Sequence, residues 1–140
     1  MVEILAKDNI EDIFENIKDY VDETKELPKT SAINEFQYQE YFENLRKKYD
    51  AVIHITLSGK ITSSVEHAFN AAKNVKDVYV VDSCSLSTGI ALLAIYARSL
   101  ANKDMDVKEI VERLNKRKKS LQVSFVVNTL NYLLIKVYYF

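Results

Sequence analysis

Apolar residues recur along this chain at two spacings, and the two alternate. From 10 to 21 (IEDIFENIKDYV), Ile10, Ile13, Phe14, Ile17 and Val21 fall at three- and four-residue steps, which predicts an amphipathic helix. TKELPKTSAI, 24–33, breaks that pattern and reads as a loop, because the residue before Pro28 avoids helical geometry. A second helix is expected from about Asn34, a suitable N-cap, with Phe36, Tyr38, Tyr41, Phe42 and Leu45 as its aromatic side. AVIHIT, 51–56, is a short apolar run rich in β-branched residues, the pattern of a strand buried on both faces. Val65, Ala68, Phe69 and Ala72 then mark one side of a helix, and VYVV, 78–81, is a second strand of the same kind. IALLAIYARSLA, 90–101, is apolar almost all round, which predicts a sandwiched helix. DVKEIVERLNKRKK, 106–119, offers Asp106 as N-cap and Glu109 where a capping box needs it, and ends in basic residues that suit the helix dipole. VSFVVN, 123–128, reads as a third strand.

This rhythm is that of an α/β fold, a parallel sheet with helices on both faces. Ligands of such sheets bind beyond the carboxyl ends of the strands, which directs attention to the turns 57–63 and 82–89. The first holds Ser58, Thr62 and Ser63 around Gly59, with Thr56 just before and Ser64 just behind; the second is DSCSLSTG. Both lead into helix N-termini, whose free N–H groups favour anions. Neighbouring turns of this kind would face one site, with neutral donors around something negative. A third loop adds Thr30 and Ser31. The plain alternative is capping, for which Thr62 and Ser85 or Ser87 suffice. The residues alone reach an anion or carboxylate pocket and leave capping beside it.

Composition narrows the classes. A chain of 140 residues, 48% hydrophobic and 28% charged, supplies one domain with a moderate core and a solvated surface. Nineteen basic against twenty acidic residues argue against a nucleic-acid binder. A single cysteine forms no internal disulfide, and neither a signal peptide nor a membrane span is evident, so a soluble cytoplasmic protein is the expectation. His54 lies inside a strand and His67 within a helix, and GKITSS is not a G-x-S-x-G elbow, which disfavours a hydrolase. SGKITSS lacks the upstream glycine of a P-loop. Cys84 reads as a turn residue, no metal-ligand spacing is present, and KRKK, 116–119, reads foremost as a solvated helix end.

Four segments together resemble a known family. ELPKTSAIN, DAVIHITLSGKITSSVEHAFNAA, VYVVDSCSLSTGIALLAIYARSLA and FVVNTLNYL follow, in order and spacing, the patterns PxTSQPS, I-S-S-x-L-S-G-T-Y-x-S-A, V-x-D-S-x-x-x-S-x-G and F-x-V-x-T-L-x-Y-L of the DegV family of bacterial fatty-acid-binding proteins. The resemblance runs from about Glu26 to Leu133. It implies a non-catalytic lipid carrier whose long-chain fatty acid is held at its carboxylate by hydroxyls and phosphorylated by a partner kinase, with no other cofactor. By position, Thr30 matches the family's carboxylate-binding threonine and Thr62 its second contact, with Ser31 and Ser63 as neighbours and Ser58 heading the same turn. Where the family has serine and then glycine, this chain has Thr62 and Ser63. The resemblance further implies a truncated N-terminal domain, lacking the family's first strand and second domain, with self-association through apolar surface left uncovered. The competing expectations are a non-binding family member or interaction module and, further off, a small hydrolase or phosphotransferase.

Overall fold

The computed structural model describes residues 18–26 and 31–124. The chain divides into two compact units, residues 1–31 with 125–140, and residues 32–124. In the first unit, residues 18–24 are helical, so the helix expected over 10–21 continues through Thr24, whose Oγ1 donates to the Tyr20 carbonyl at 2.7 Å. Residues 10–17 of the expected helix lie outside the described residues. So do the predicted third strand beyond Ser124 and the segment where the family's leading strand is expected to be missing.

The second unit runs α1 (Glu35–Arg46), β1 (Val52–Thr56), α2 (Ser64–Lys73), β2 (Val78–Asp82), α3 (Thr88–Ala101), α4 (Val107–Arg117) and a 3-10 turn, Lys118–Ser120. β1 and β2 pair in parallel, from Val52 opposite Val78 to Thr56 opposite Asp82. Successive strand side chains point to opposite faces, and the core divides accordingly. Val52, Val78 and Val80 join Tyr38, Phe42, Ala68, Ala71 and Val75 on the face covered by α1 and α2. Ile53, Ile55 and Val81 join Leu93, Leu100, Ile110 and Leu114 under α3 and α4. Helices therefore cover both faces, as the apolar runs predict, although most of β1 is only half-buried.

The helix boundaries follow local chemistry, with corrections. Asn34 caps α1: its Oδ1 accepts from Gln37 N at 2.9 Å while Gln37 Oε1 accepts from Asn34 N at 3.1 Å. The expected aromatic side splits. Tyr38 and Phe42 are buried at an i,i+4 spacing, whereas Phe36 and Tyr41 are 75% and 53% exposed. At about 100° per residue, Phe36 falls round the far side of the cylinder and Tyr41 one full step off the stripe. In α2 the buried line is Val65, Ala68 and Ala71, and Phe69 faces outward. Within its unit, α3 buries Gly89, Leu93 and Leu100 but exposes Leu92 and Ile95, so it is not sandwiched there. α4 has its Asp106 cap, on Lys108 N at 2.8 Å, but no reciprocal box: Glu109 instead accepts from Arg113 Nη2 at 2.7 Å, one turn along. Arg46 ties the end of α1 to the turn before β2, through Lys76 O at 2.8 Å and Asp77 Oδ2 at 3.3 Å. Among the described residues no helix is long and apolar enough to cross a membrane.

Candidate functional site

Thr56 and Asp82 end adjacent strands, and the turns that leave them are bonded to each other. Ser58 N donates to Ser85 O at 2.9 Å, and Ser83 N donates to Thr56 O at 3.3 Å. The Asp82 carboxylate staples both turns: Oδ1 accepts from Cys84 N at 2.8 Å and from Gly59 N at 3.3 Å. Glycine permits that approach, since a Cβ at position 59 would lie 3.2 Å from Asp82 Oδ2. In the second turn Ser83, 1% exposed, accepts from Ser85 N at 3.0 Å and donates to Ser85 O at 3.1 Å. Cys84 and Ser87 there adopt φ of 52° and 42°, a conformation non-glycine residues take at some cost. Gly89 is crowded against this turn, where an added Cβ would lie 2.7 Å from Ser85 Cβ.

The predicted site residues fall in different places. Ser58 is 5% exposed; its carbonyl accepts from Ile61 N at 2.9 Å and Thr62 N at 3.3 Å, and its Oγ accepts from Lys60 N at 3.3 Å. It shapes the loop from within. Thr62 Oγ1 accepts from Ser64 N at 3.2 Å and donates to Ser64 Oγ at 3.0 Å, the bond that starts α2. Ser63, at the N-cap position itself, is exposed and makes no capping bond. Ser58, Thr62 and Ser63 thus share one loop. Ser31 is exposed and belongs to the other unit, and Thr30 lies outside the described residues. The expected hydroxyl cap of α3 is absent: Ser87 holds the N-cap position at φ 42°, without a side-chain bond.

The core on the α1 and α2 side of the sheet contains polar rings. Burial pushes the Tyr38 hydroxyl above its ordinary pKa, with Ser64 nearby offsetting part of that rise. Next to it, His54 sets its ring edge-on to Tyr38 and Phe42 at centroid distances of 5.3 and 5.4 Å. Among the described residues its Nε2 is buried without a partner, and burial pushes the imidazole below its usual pKa. His67 Nδ1 bonds the Ile33 carbonyl at 2.7 Å. Among the described residues neither histidine hydrogen-bonds a serine or threonine, and no group of three or more metal-ligating side chains forms.

Lys118 is a residue that sequence reasoning placed elsewhere. It is half-buried, and its Nζ donates to the Asp82 carbonyl at 2.8 Å. The KRKK run was its only signal; that α3 leaves the strand ends and α4 returns to them is a property of the fold. Beside Arg117, a cavity of about 390 Å³ is lined by Leu92, Leu93, Tyr96 and Leu121.

A parallel α/β sheet with two cross-linked, hydroxyl-bearing turns at its carboxyl edge has the layout of the α/β class, whose open sheets place ligands at that edge. The profile described as "Uncharacterised protein, DegV family" matches residues 4–135, and the chain belongs to that family. A protein of Thermotoga maritima named as a fatty acid-binding protein is 32% identical over 116 residues, covering 79% of this chain and 40% of the relative. The crystal structure of a DegV lipid-binding protein from Thermotoga maritima superposes with a TM-score of 0.68 at 29% identity, covering 81% of this chain and 41% of that one. DegV of Bacillus subtilis, described as a fatty acid-binding protein, gives 0.64 at 30% identity, covering 75% and 38%. The chain spans about 40% of the length of the curated relatives it matches.

Proposed function

We propose that this chain is the carboxylate-gripping domain of a cytoplasmic fatty-acid-binding protein, non-catalytic in itself, which holds the acid for phosphorylation by a partner kinase. In this reading residues 1–140 form a single, partial domain of the family, with 26–133 as the region of resemblance. The observation that carries it is the pair of cross-linked turns, placed where open α/β sheets bind ligands, in a chain whose relatives are named for fatty acid binding. Thr62 is the central donor: its proton, given to Ser64 Oγ in the structure, turns to the ligand carboxylate. Thr30 is the second donor, Ser31 and Ser63 assist, and Ser58 holds the loop in shape. Neutral hydroxyls and helix-start N–H groups suit a carboxylate without a full buried countercharge.

Lipid extraction of the purified chain followed by mass spectrometry tests the reading. A co-purifying fatty acid is expected, and the absence of both co-purified lipid and binding to added oleate would sink it. Thr62→Ala should weaken oleate binding by about 1–2 kcal/mol, the worth of a hydrogen bond to a charged group. A thermal melt separates this loss from the helix-start bond that the same change removes. The exposed Leu92 and Ile95 favour self-association through α3 as part of the proposal. Light scattering that gives a monomer mass at high concentration would exclude that part.

A further inference from the structure

The candidate site already contains a negative charge, and an acid that enters it meets the Asp82 carboxylate. Two amide N–H groups share that carboxylate, but amides redistribute charge without cancelling it. Lys60 and Glu66, the ionisable residues next along the first turn and α2, are both exposed and of opposite sign, so solvent screens what they contribute.

We infer that Lys118 is the counter-charge of this site and the residue that makes it prefer an ionised carboxylate to a neutral head group. The inference rests on the fatty-acid reading and adds a specificity-determining residue to it. Lys118 Nζ lies 2.8 Å from the carbonyl of the very residue that carries the offending charge. One of its three N–H donors serves that bond, and the ammonium takes part in no ion pair among the described residues. Its stem is half-buried, so the charge is held in place and less screened than that of Lys119, which is exposed and bonds neither turn among the described residues. Between this ammonium and the Gly59 amide stand only one aspartate and two hydrogen bonds, of 2.8 and 3.3 Å. With Lys118 the two turns are electrically balanced before the ligand arrives. Without it they present one uncompensated negative charge to an anion.

The test compares oleate with oleyl alcohol, which shares the chain but carries no charge, on the full chain by calorimetry. Lys118→Met should weaken oleate roughly tenfold, on the scale of one charged hydrogen bond, and leave oleyl alcohol unchanged; Lys119→Met should change neither. Lys118→Arg should retain oleate. The double variant Lys118→Met with Asp82→Asn should regain most of the oleate affinity, because the amide oxygen still accepts from Gly59 and Cys84 while the charge is gone. Equal losses of oleate and oleyl alcohol in Lys118→Met would mark the lysine as a structural pin only and overturn the inference, as would an unchanged oleate affinity. A wild-type chain that binds no oleate removes the fatty-acid reading and this inference together, whereas an unaffected Lys118→Met removes the inference alone.

Discussion

The two faces of the sheet are built from the same two strands and differ in kind. Under α1 and α2, rings close on small residues: Tyr38 and Phe42 stack at 5.6 Å over fully buried Ala68 and Ala71, with His54 edge-on beside them. Under α3 and α4 the filling is aliphatic, with Leu93, Leu100, Ile110 and Leu114 around Val81. The ring face therefore carries polar atoms into the core, one of them an imidazole nitrogen that has no partner among the described residues. The other face has an aliphatic buried core, with Tyr96 packed at its edge, and reaches the strand ends through Lys118. One face brings polar rings into the core, and the other reaches the site with a charged side chain.

The largest effects should come from emptying each face in turn. Phe42→Ala should cost about 3–5 kcal/mol and Leu114→Ala about 3 kcal/mol in urea melts, since both side chains are fully buried. The faces separate when the melts are repeated at pH 5: Phe42→Ala uncovers His54 and should lose most of the acid sensitivity, while Leu114→Ala keeps it. Equal acid sensitivity in the two variants would dissolve the distinction. A smaller loss, about 1–3 kcal/mol, is expected for Gly89→Ala, which overpacks the junction of α3 with the second turn; a neutral result would mean that the turn yields freely. The smallest effect belongs to His54 itself. Its folded pKa lies below the unfolded value of 6.5, so below that value the unfolded chain binds more protons. Stability should be full above about pH 6.5 and fall as the pH drops through the lowered folded value. His54→Leu should flatten that fall, and a wild-type melting temperature constant from pH 7.5 to 5 would contradict it.

Much of this was legible wherever a local rule decides the structure. Asn34 caps α1 because its side chain reaches Gln37 N, and the two β-branched runs pair as strands. The misses have two causes: helix geometry left unapplied, and contacts that only the topology of the fold creates. Glu109 leaves the capping box because Arg113 stands one turn away. Phe36 and Tyr41 count toward an aromatic stripe only until the turn angle of the helix is applied. In the site, the hydroxyl turns were legible as a group, but the division of labour was not: Ser58 turns inward, Thr62 opens α2 and Ser63 stays free. Asp82 as a staple and Lys118 as its neighbour depend on which ends of which elements meet, a matter of topology.

The bonds between the two turns bear also on how such a domain changes through descent. Since Ser58, Gly59, Ser83 and Asp82 link one turn to the other, an inserted or deleted residue in either would dislodge both. Loop length, usually the quantity most free to drift, is here constrained in pairs. Variation should therefore accumulate as side-chain exchanges at fixed length, and transplanting one turn into another sheet should fail unless its companion moves with it.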